Sequence, residues 1–336
     1  MERGFLMGNP ALGALVRMLC ASLLVVAPTP AAHAQRYPDK PVLLVSPYGA
    51  GGNADLAARA LALVAPKYLG QQIVVINRLG AGGIVGSQYV LDAAKDGYTL
   101  LAARVGSQAV SPALDPATPY KWDSFTMLGM LEIDPYVCVV SGKSAIKTVQ
   151  DLVDAVKARP GKMNYASTGN ADASVVFPVK IFLNAGLKAD VAVKIPYKGT
   201  PDTIAAVMGG HVEFTCNGLG PFAGGIKSGD LRALVVSTRA RVPEAPDVPT
   251  AREVGMPNLE LVSGWTALYG PAGLPKSVID AWASVLAKVK DDPDWTKQVR
   301  LRGSEPSIMT PADTRSFVEL QYNTYRALAS QIGIAQ

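Results

Sequence analysis

Short apolar runs bounded by Gly, Pro, Asn and Asp alternate with stretches whose apolar residues recur at helical spacing along most of the chain. The runs predict strands at 42–46, 73–76, 99–103, 136–140, 163–166, 193–196, 213–216 and 231–237. The amphipathic stretches predict helices at 54–67, 85–94, 149–158, 174–184, 200–208 and 279–290. Strand and helix in alternation build open, mainly parallel sheets with helices on both faces, so the expected class is α/β.

Two of the turns are unusually rich in glycine. The first predicted strand runs into Gly49, Ala50, Gly51 and Gly52 and then into an alanine-rich helix near Asn53. Glycine reaches backbone angles that a Cβ forbids, so successive N–H groups there can converge on an anion. The helix start adds unpaired donors and a partial positive charge. The second predicted strand leads into Gly80, Gly82, Gly83 and Gly86 and another helix. Both turns are expected to face one cleft.

The first 34 residues read as an export signal. Arg3 and Arg17 precede an apolar stretch over 18–28, and Ala32-His33-Ala34 has the small-x-small pattern of a signal-peptidase site. Arg-Met-Leu before Cys20 lacks the small residues that precede a lipidated cysteine, so a cleaved periplasmic product starting at Gln35 is expected rather than a lipoprotein. No later stretch is long and apolar enough to span a bilayer. The remaining 302 residues suit two domains. The chain changes character near Asp134-Pro135 and again across a proline-rich stretch at 238–250, which suggests a middle domain at 139–239 inserted between 35–138 and 240–336. Two crossings make a hinge, and a hinge makes a closing cleft.

Composition narrows the chemistry. The formal charge of +5 is mild and unclustered, which disfavours nucleic acid as a partner. Past the signal the chain keeps one histidine, His211, at a turn where a solvated side chain is expected. A catalytic triad or zinc site would have to use it or do without histidine, and there is no Cys-x-x-Cys; neither catalytic nor metal residues are expected. Cys138 and Cys216 lie in apolar, strand-like runs. Export permits a disulfide between them, and two buried thiols are the alternative.

At this point the chain resembles the Bug-type substrate-binding proteins of tripartite tricarboxylate transporters. The resemblance rests on YPDKPVLLVSPYGAGGNADLAAR at 37–59, NRLGAGGIVGS at 77–87, DGYTLL at 96–101, YASTGN at 165–170 and IPYKGTPD at 195–202. It continues through MGGHVEF at 208–214, KSGDLRAL at 227–234, DVPTAREVG at 247–255 and WTALYGPAGLP at 265–275. It implies a two-domain, type II periplasmic-binding fold, no catalysis and no cofactor, and a small carboxylate held between the domains. It also implies hand-over to a separate membrane permease by a protein expected to be monomeric.

Carried over position by position, the resemblance makes Tyr48, Gly49, Ala50, Gly51 and Gly52 the loop that approaches the carboxylate through backbone groups and water. Tyr48 stands where the family usually has Phe. The second loop contributes Gly82, and Thr168, Gly169 and Asn170, with Ser174 just beyond, match the turn that grips from the other domain. Helix capping by Asn170, Asp172 or Ser174 needs the same residue types. Tyr197 is placed to cover the ligand. Where relatives commonly carry acids this chain has Ala206 and Asn217, which would make the pocket less hostile to anions. Arg104 stands where relatives carry a small or hydroxyl residue, in a segment that ends at Ser107. The carboxyl end of a strand in an open sheet is where ligands bind, so Arg104 is expected to pair with a carboxylate, the alternative being an arginine turned to the rim and solvent. Asp55 and Arg59, four apart on a helix, are explained by an ion pair, and Trp265 by core packing.

Two rival classes remain. Gly49 to Ala54 satisfies G-x-G-x-x-A, the mark of a dinucleotide-binding enzyme, but the second strand ends in Asn77-Arg78 rather than an acid able to hold ribose hydroxyls. An exported receptor feeding a signalling protein would use the same ligand site. For the ligand, the sequence favours a di- or aromatic carboxylate.

Overall fold

A computed structural model describes residues 1, 2, 4, 37–169 and 173–329. The expected signal segment, its cleavage point after Ala34, and Asn170 and Asp172 lie outside the described residues. Within 37–169 the elements are β1 (Val42–Ser46), α1 (Asn53–Val64), β2 (Ile73–Asn77), α2 (Ile84–Leu91), β3 (Thr99–Arg104), β4 (Thr126–Asp134), β5 (Tyr136–Ser141), α3 (Val149–Ala158) and β6 (Asn164–Ser167). Then follow α4 (Ala173–Asn184), β7 (Val193–Pro196), α5 (Thr200–Met208), β8 (Phe214–Gly218), α6 (Ala223–Ser228), β9 (Leu231–Val236) and β10 (Gly264–Gly270). The chain finishes with α7 (Lys276–Lys290), α8 (Pro293–Arg300), β11 (Glu305–Pro306) and α9 (Pro311–Ala329).

The strands form two sheets. One has the order β11-β4-β10-β3-β1-β2 and the other β7-β6-β8-β5-β9. Each is mixed rather than mainly parallel. The pairs β1/β2, β1/β3, β6/β7 and β6/β8 are parallel, as their helical crossovers require, whereas β10 runs antiparallel to β3 and β4, and β5 antiparallel to β8 and β9. The physical reason is the route of the chain. It passes straight from β4 of the first sheet into β5 of the second with only Pro135 between, then returns as β10, which wedges between β3 and β4.

Cys138 therefore already belongs to the second sheet. At the other end, Val242, Ala245 and Val248 pack with Val137 and Ala166 of the second sheet and with Phe222 just after β8, and Thr250 bridges to Val236. Cys138 stands directly opposite Cys216 in the β5/β8 pairing, and the two form a disulfide.

Helix α1 shows how the layers are held. Its Ala58, Ala60, Leu61 and Val64 are buried against Leu44 and Leu100 on one face of the first sheet, where Trp282, Leu286 and Trp295 from α7 and α8 complete the layer. Each fully buried leucine contributes about 1.5–3 kcal/mol relative to exposure. A second apolar cluster joins Val45, Leu101 and Tyr269 of the first sheet to Tyr136, Tyr165 and Phe214 of the second. No helix among the described residues is long and apolar enough to cross a membrane.

Candidate functional site

The glycine-rich loop after β1 is wired to itself. Asp55 in the first turn of α1 accepts hydrogen bonds from the Gly51 N–H at 2.9 Å and Arg59 Nε at 2.9 Å, and its other oxygen accepts from Asn77 Nδ2 at 2.9 Å. Asn77 Nδ2 also donates to the Tyr48 carbonyl at 2.9 Å, and the Gly52 N–H donates to the Gly49 carbonyl at 3.1 Å. Burial would raise the Asp55 carboxyl, but donors from Arg59, Gly51 and Asn77 outweigh it and hold the group below its usual range. The expectation that Gly51 and Gly52 aim free N–H groups at an anion is therefore corrected: a carboxylate in the chain already takes the one and a loop carbonyl the other. Gly51 is still required, because its φ of +76° is one that a Cβ disfavours.

What the glycines permit is close approach. A Cβ on Gly199, at the start of α5, would lie 3.3 Å from the Gly49 nitrogen, and one on Gly82 would lie 3.5 Å from the Gly169 Cα. Backbone from first-sheet loops thus touches backbone from second-sheet loops at two points.

Beside these contacts is a small chamber of about 20 Å³. From the first sheet it is lined by Tyr48, Asn53, Ala54 and the 104–106 segment, and from the second by Tyr136, Thr168, Thr200 and Asn217. Asn217 Nδ2 lies 3.4 Å from both Thr168 Oγ1 and Thr200 Oγ1, and its oxygen accepts the Gly218 N–H at 2.8 Å. Thr168 is set by Ser174, whose hydroxyl accepts the Thr168 N–H at 2.9 Å. Tyr48 is not turned to solvent: its hydroxyl donates to the Gly82 carbonyl at 2.7 Å and ties the two glycine loops together.

Arg104 is buried at the end of β3, not turned to the rim. Both of its described hydrogen bonds leave from Nη1, to the Asp134 carboxylate and to Thr266 Oγ1 at 2.9 Å. Burial alone would lower the guanidinium, but the Asp134 carboxylate, with smaller help from Glu132, holds it above its ordinary value. Asp134 also accepts from Ser304 Oγ at 2.6 Å, and Glu132 is paired with Arg302. Burial, reinforced by neighbouring Asp134, pushes the Glu132 carboxyl up to about 7 against the pull of Arg302.

The second cavity is an open groove of about 1030 Å³ that shares Thr168 with the small chamber. Leu79, Ile84, Tyr197, Ala205 and Ala206 give it apolar walls, and Gly82 and Gly169 stand at the junction. Its acidic and basic side chains among the described residues are Asp115, Lys198, Asp202 and His211.

The structure therefore brings Tyr48, Arg104, Thr168 and Asn217 to the chamber, and Gly82, Gly169 and Tyr197 to the groove. It does not bring Gly49, Ala50, Gly51 or Gly52 to either. Ser107 is buried beneath Gly83, where its hydroxyl accepts from Gln108 at 3.3 Å, and it lines neither cavity. Ser174 acts through Thr168. Trp265 is fully buried in β10 within the core.

Residues 57–334 match the sequence model of the tripartite tricarboxylate transporter family receptor. The chain belongs to that family. Protein BugT of Bordetella pertussis is 29% identical, with 95% of this chain and 97% of BugT aligned. The solved structure of the periplasmic binding protein BugD superposes with a TM-score of 0.82 at 30% identity, covering 89% of this chain and 99% of BugD. MatC from Rhodopseudomonas palustris with bound malate gives a TM-score of 0.81 at 26% identity over 87% and 100% of the two chains. A second R. palustris protein, solved with adipate, gives 0.83 at 26% identity over 89% and 99%. Membership of this receptor family makes the chain a solute-binding protein, and the two cavities lie where its two mixed sheets meet.

Within the receptor family fold, two positions singled out from the sequence acquire a place. Ala206 lines the groove and Asn217 the chamber, so an acid at either would face a cavity. Sequence reasoning missed Asn53 and Thr200, which look like ordinary helix-start residues, and Tyr136, whose position beside the chamber depends on the β4-to-β5 crossing. The strand ends at 104, 167, 196 and 218 were the available signal.

Proposed function

We propose that this receptor is an exported, periplasmic protein that takes up a small organic acid between two closing lobes and passes it to the permease subunits of a tripartite tricarboxylate-type transporter. The lobes are built on the two sheets, with the Pro135 crossing and the return into β10 as the hinge. One observation carries the reading: a buried arginine from one sheet lines the same small chamber as two threonine hydroxyls and an asparagine amide from the other.

In this site the acid's carboxylate enters the chamber. Arg104, already neutralised on one side by Asp134, turns its remaining guanidinium donors to the anion, and Thr168, Thr200 and Asn217 replace water on the other face. A chamber of this size, with little more room than one water needs, takes at most the head of an acid, and the body extends past Thr168 into the groove. Neutral donors on the second lobe cost little to desolvate in the open state and gain a charge-assisted bond on closure. The ligands of the malate- and adipate-bound relatives are carboxylates, in keeping with this chemistry. A protein that releases cargo to a permease binds on the order of micromolar, about 8 kcal/mol.

The test is a thermal-shift and calorimetric screen of the purified protein against aliphatic and aromatic mono-, di- and tricarboxylates, amino acids and NAD(P). Dose-dependent stabilisation by a group of carboxylates is expected, since a ligand bound only by the folded state raises the melting temperature. Stabilisation by NAD(P) and by no organic acid would overturn the reading.

A further inference from the structure

We infer that the outer groove selects acids bearing a single carboxylate on a neutral, apolar body, and discriminates against a second carboxylate at the far end. The inference rests on the placing of one carboxylate in the inner chamber and deepens that reading. It follows from the difference between the two compartments that Thr168 joins.

The inner chamber carries the one buried cation that faces the cavities among the described residues, and its size limits it to one anionic head. Whatever else the ligand possesses must lie in the groove, which at about 1030 Å³ stands at the upper end of the range of small-molecule sites. That is far more room than a four-carbon chain fills, and space does not restrict the body to a short chain.

Charge does restrict it. Two carboxylates, Asp115 and Asp202, line the groove against one lysine, Lys198, and the exposed His211. Neither aspartate forms an ion pair among the described residues. With His211 neutral the described lining carries a net negative charge, and a second ligand carboxylate would enter that field after losing water. Asp202 sits in the first turn of α5, the end of a helix that carries acidic side chains favourably. The walls offer the opposite welcome to apolar surface. Leu79 remains 41% exposed at the groove, and Ile84, Tyr197, Ala205 and Ala206 extend the same surface. An exposed leucine in a concave site is covered at a gain of about 25 cal/mol per Å² when an apolar ring or chain lies on it.

The experiment uses matched pairs that differ only in the distal carboxylate, benzoate against terephthalate and hexanoate against adipate, titrated calorimetrically into the purified protein. Each monoacid is expected to bind at least about tenfold more tightly than its diacid. Changing Asp115→Asn and Asp202→Asn together is expected to strengthen diacid binding about five- to tenfold and to leave monoacid binding within about twofold. Both side chains reach solvent, so these substitutions do not disturb the core. Diacids that bind as tightly as their monoacids, or more tightly, overturn the inference while leaving the carboxylate reading intact, and so does a double variant that gains nothing for diacids. Failure of every organic acid to bind overturns both.

Discussion

The two sides of the inner chamber are built on opposite electrostatic plans. The first-sheet side is charged and internally compensated: Arg104 with Asp134, Glu132 with Arg302, and Asp55 with Arg59 and the Gly51 N–H. The second-sheet side is neutral and presents Thr168, Thr200 and Asn217. A buried cation without a counter-ion would cost several kcal/mol in the empty protein, and a second charged side would repel or trap the anion. In the proposed site, charge on one side, already balanced by a carboxylate behind it, and uncharged groups on the other would let a carboxylate bind strongly yet leave.

Breaking the charged side should have the largest effect. Arg104→Leu leaves Asp134 buried without its cation, and a loss of about 3–5 kcal/mol in stability is expected together with loss of carboxylate binding, measured by chemical denaturation and calorimetry. The double change Arg104→Leu with Asp134→Leu should recover much of the stability, because apolar replacement of a buried pair is often neutral, while binding stays lost. Recovery of binding in the double variant would remove Arg104 from the site.

Adding charge to the neutral side is the complementary test. Asn217→Asp puts a carboxylate between Thr168 and Thr200, where the ligand's own carboxylate is placed. At a few ångströms and an effective dielectric near 20 the repulsion is on the order of 2–4 kcal/mol, so affinity should fall by roughly 30- to 1000-fold, separately from the stability that the buried carboxylate costs the free protein, which denaturation measures. Binding within about threefold of the unaltered protein would place the ligand elsewhere.

The comparison also locates the pH dependence. Glu132 is buried and its folded value lies near 7, above the ordinary carboxylate value it has when unfolded. A raised acid favours the protonated folded state, so stability is highest below about 4.5, falls as pH rises towards about 7, and is level beyond. The fall attributable to this one group is on the order of 3 kcal/mol. Denaturation at pH 5, 6, 7 and 8 should show a slope that Glu132→Gln flattens; an unchanged slope assigns it to another group.

The parts of this arrangement that local pattern could reveal were legible, and those made by long-range pairing were not. The runs at β1, β2, β3 and β5 to β9 announce themselves because each is apolar and ends in a turn residue. Strand β4 is buried on both faces yet contains Gly129, Glu132 and Asp134, and β10 begins with Gly264, so neither follows an alternating pattern. Missing these two strands hid the antiparallel half of the first sheet and also the partner of Arg104, since Asp134 and Thr266 are on them. Arg104 itself could be singled out as an arginine at a strand end, but its burial could not. Thr168, Tyr197 and Asn217 were legible for the same reason, their place at or just past the carboxyl ends of predicted strands. The glycine loop misled in an instructive way, because a carboxylate four residues after Gly51 reads as helix-start chemistry while in space it occupies the donor the loop would have offered.

That loop supplies the smallest and most specific test. Asp55 gathers Gly51, Arg59 and Asn77 around one buried carboxylate, and nothing in the arrangement gives it a bond to the ligand. Its pKa is held low, so its contribution is full above the ordinary carboxylate value and is lost as the pH falls through the depressed folded value. Asp55→Asn keeps the shape and one acceptor but surrenders the charge, and should cost about 1–2 kcal/mol at neutral pH by denaturation. If the loop is a scaffold that brings Gly49 against Gly199, affinity for the carboxylate should fall by no more than about fivefold and the loss should follow stability. A loss of binding as large as that of Arg104→Leu, with stability preserved, would show that the loop touches the anion after all and that the two sides of the chamber share the charge between them.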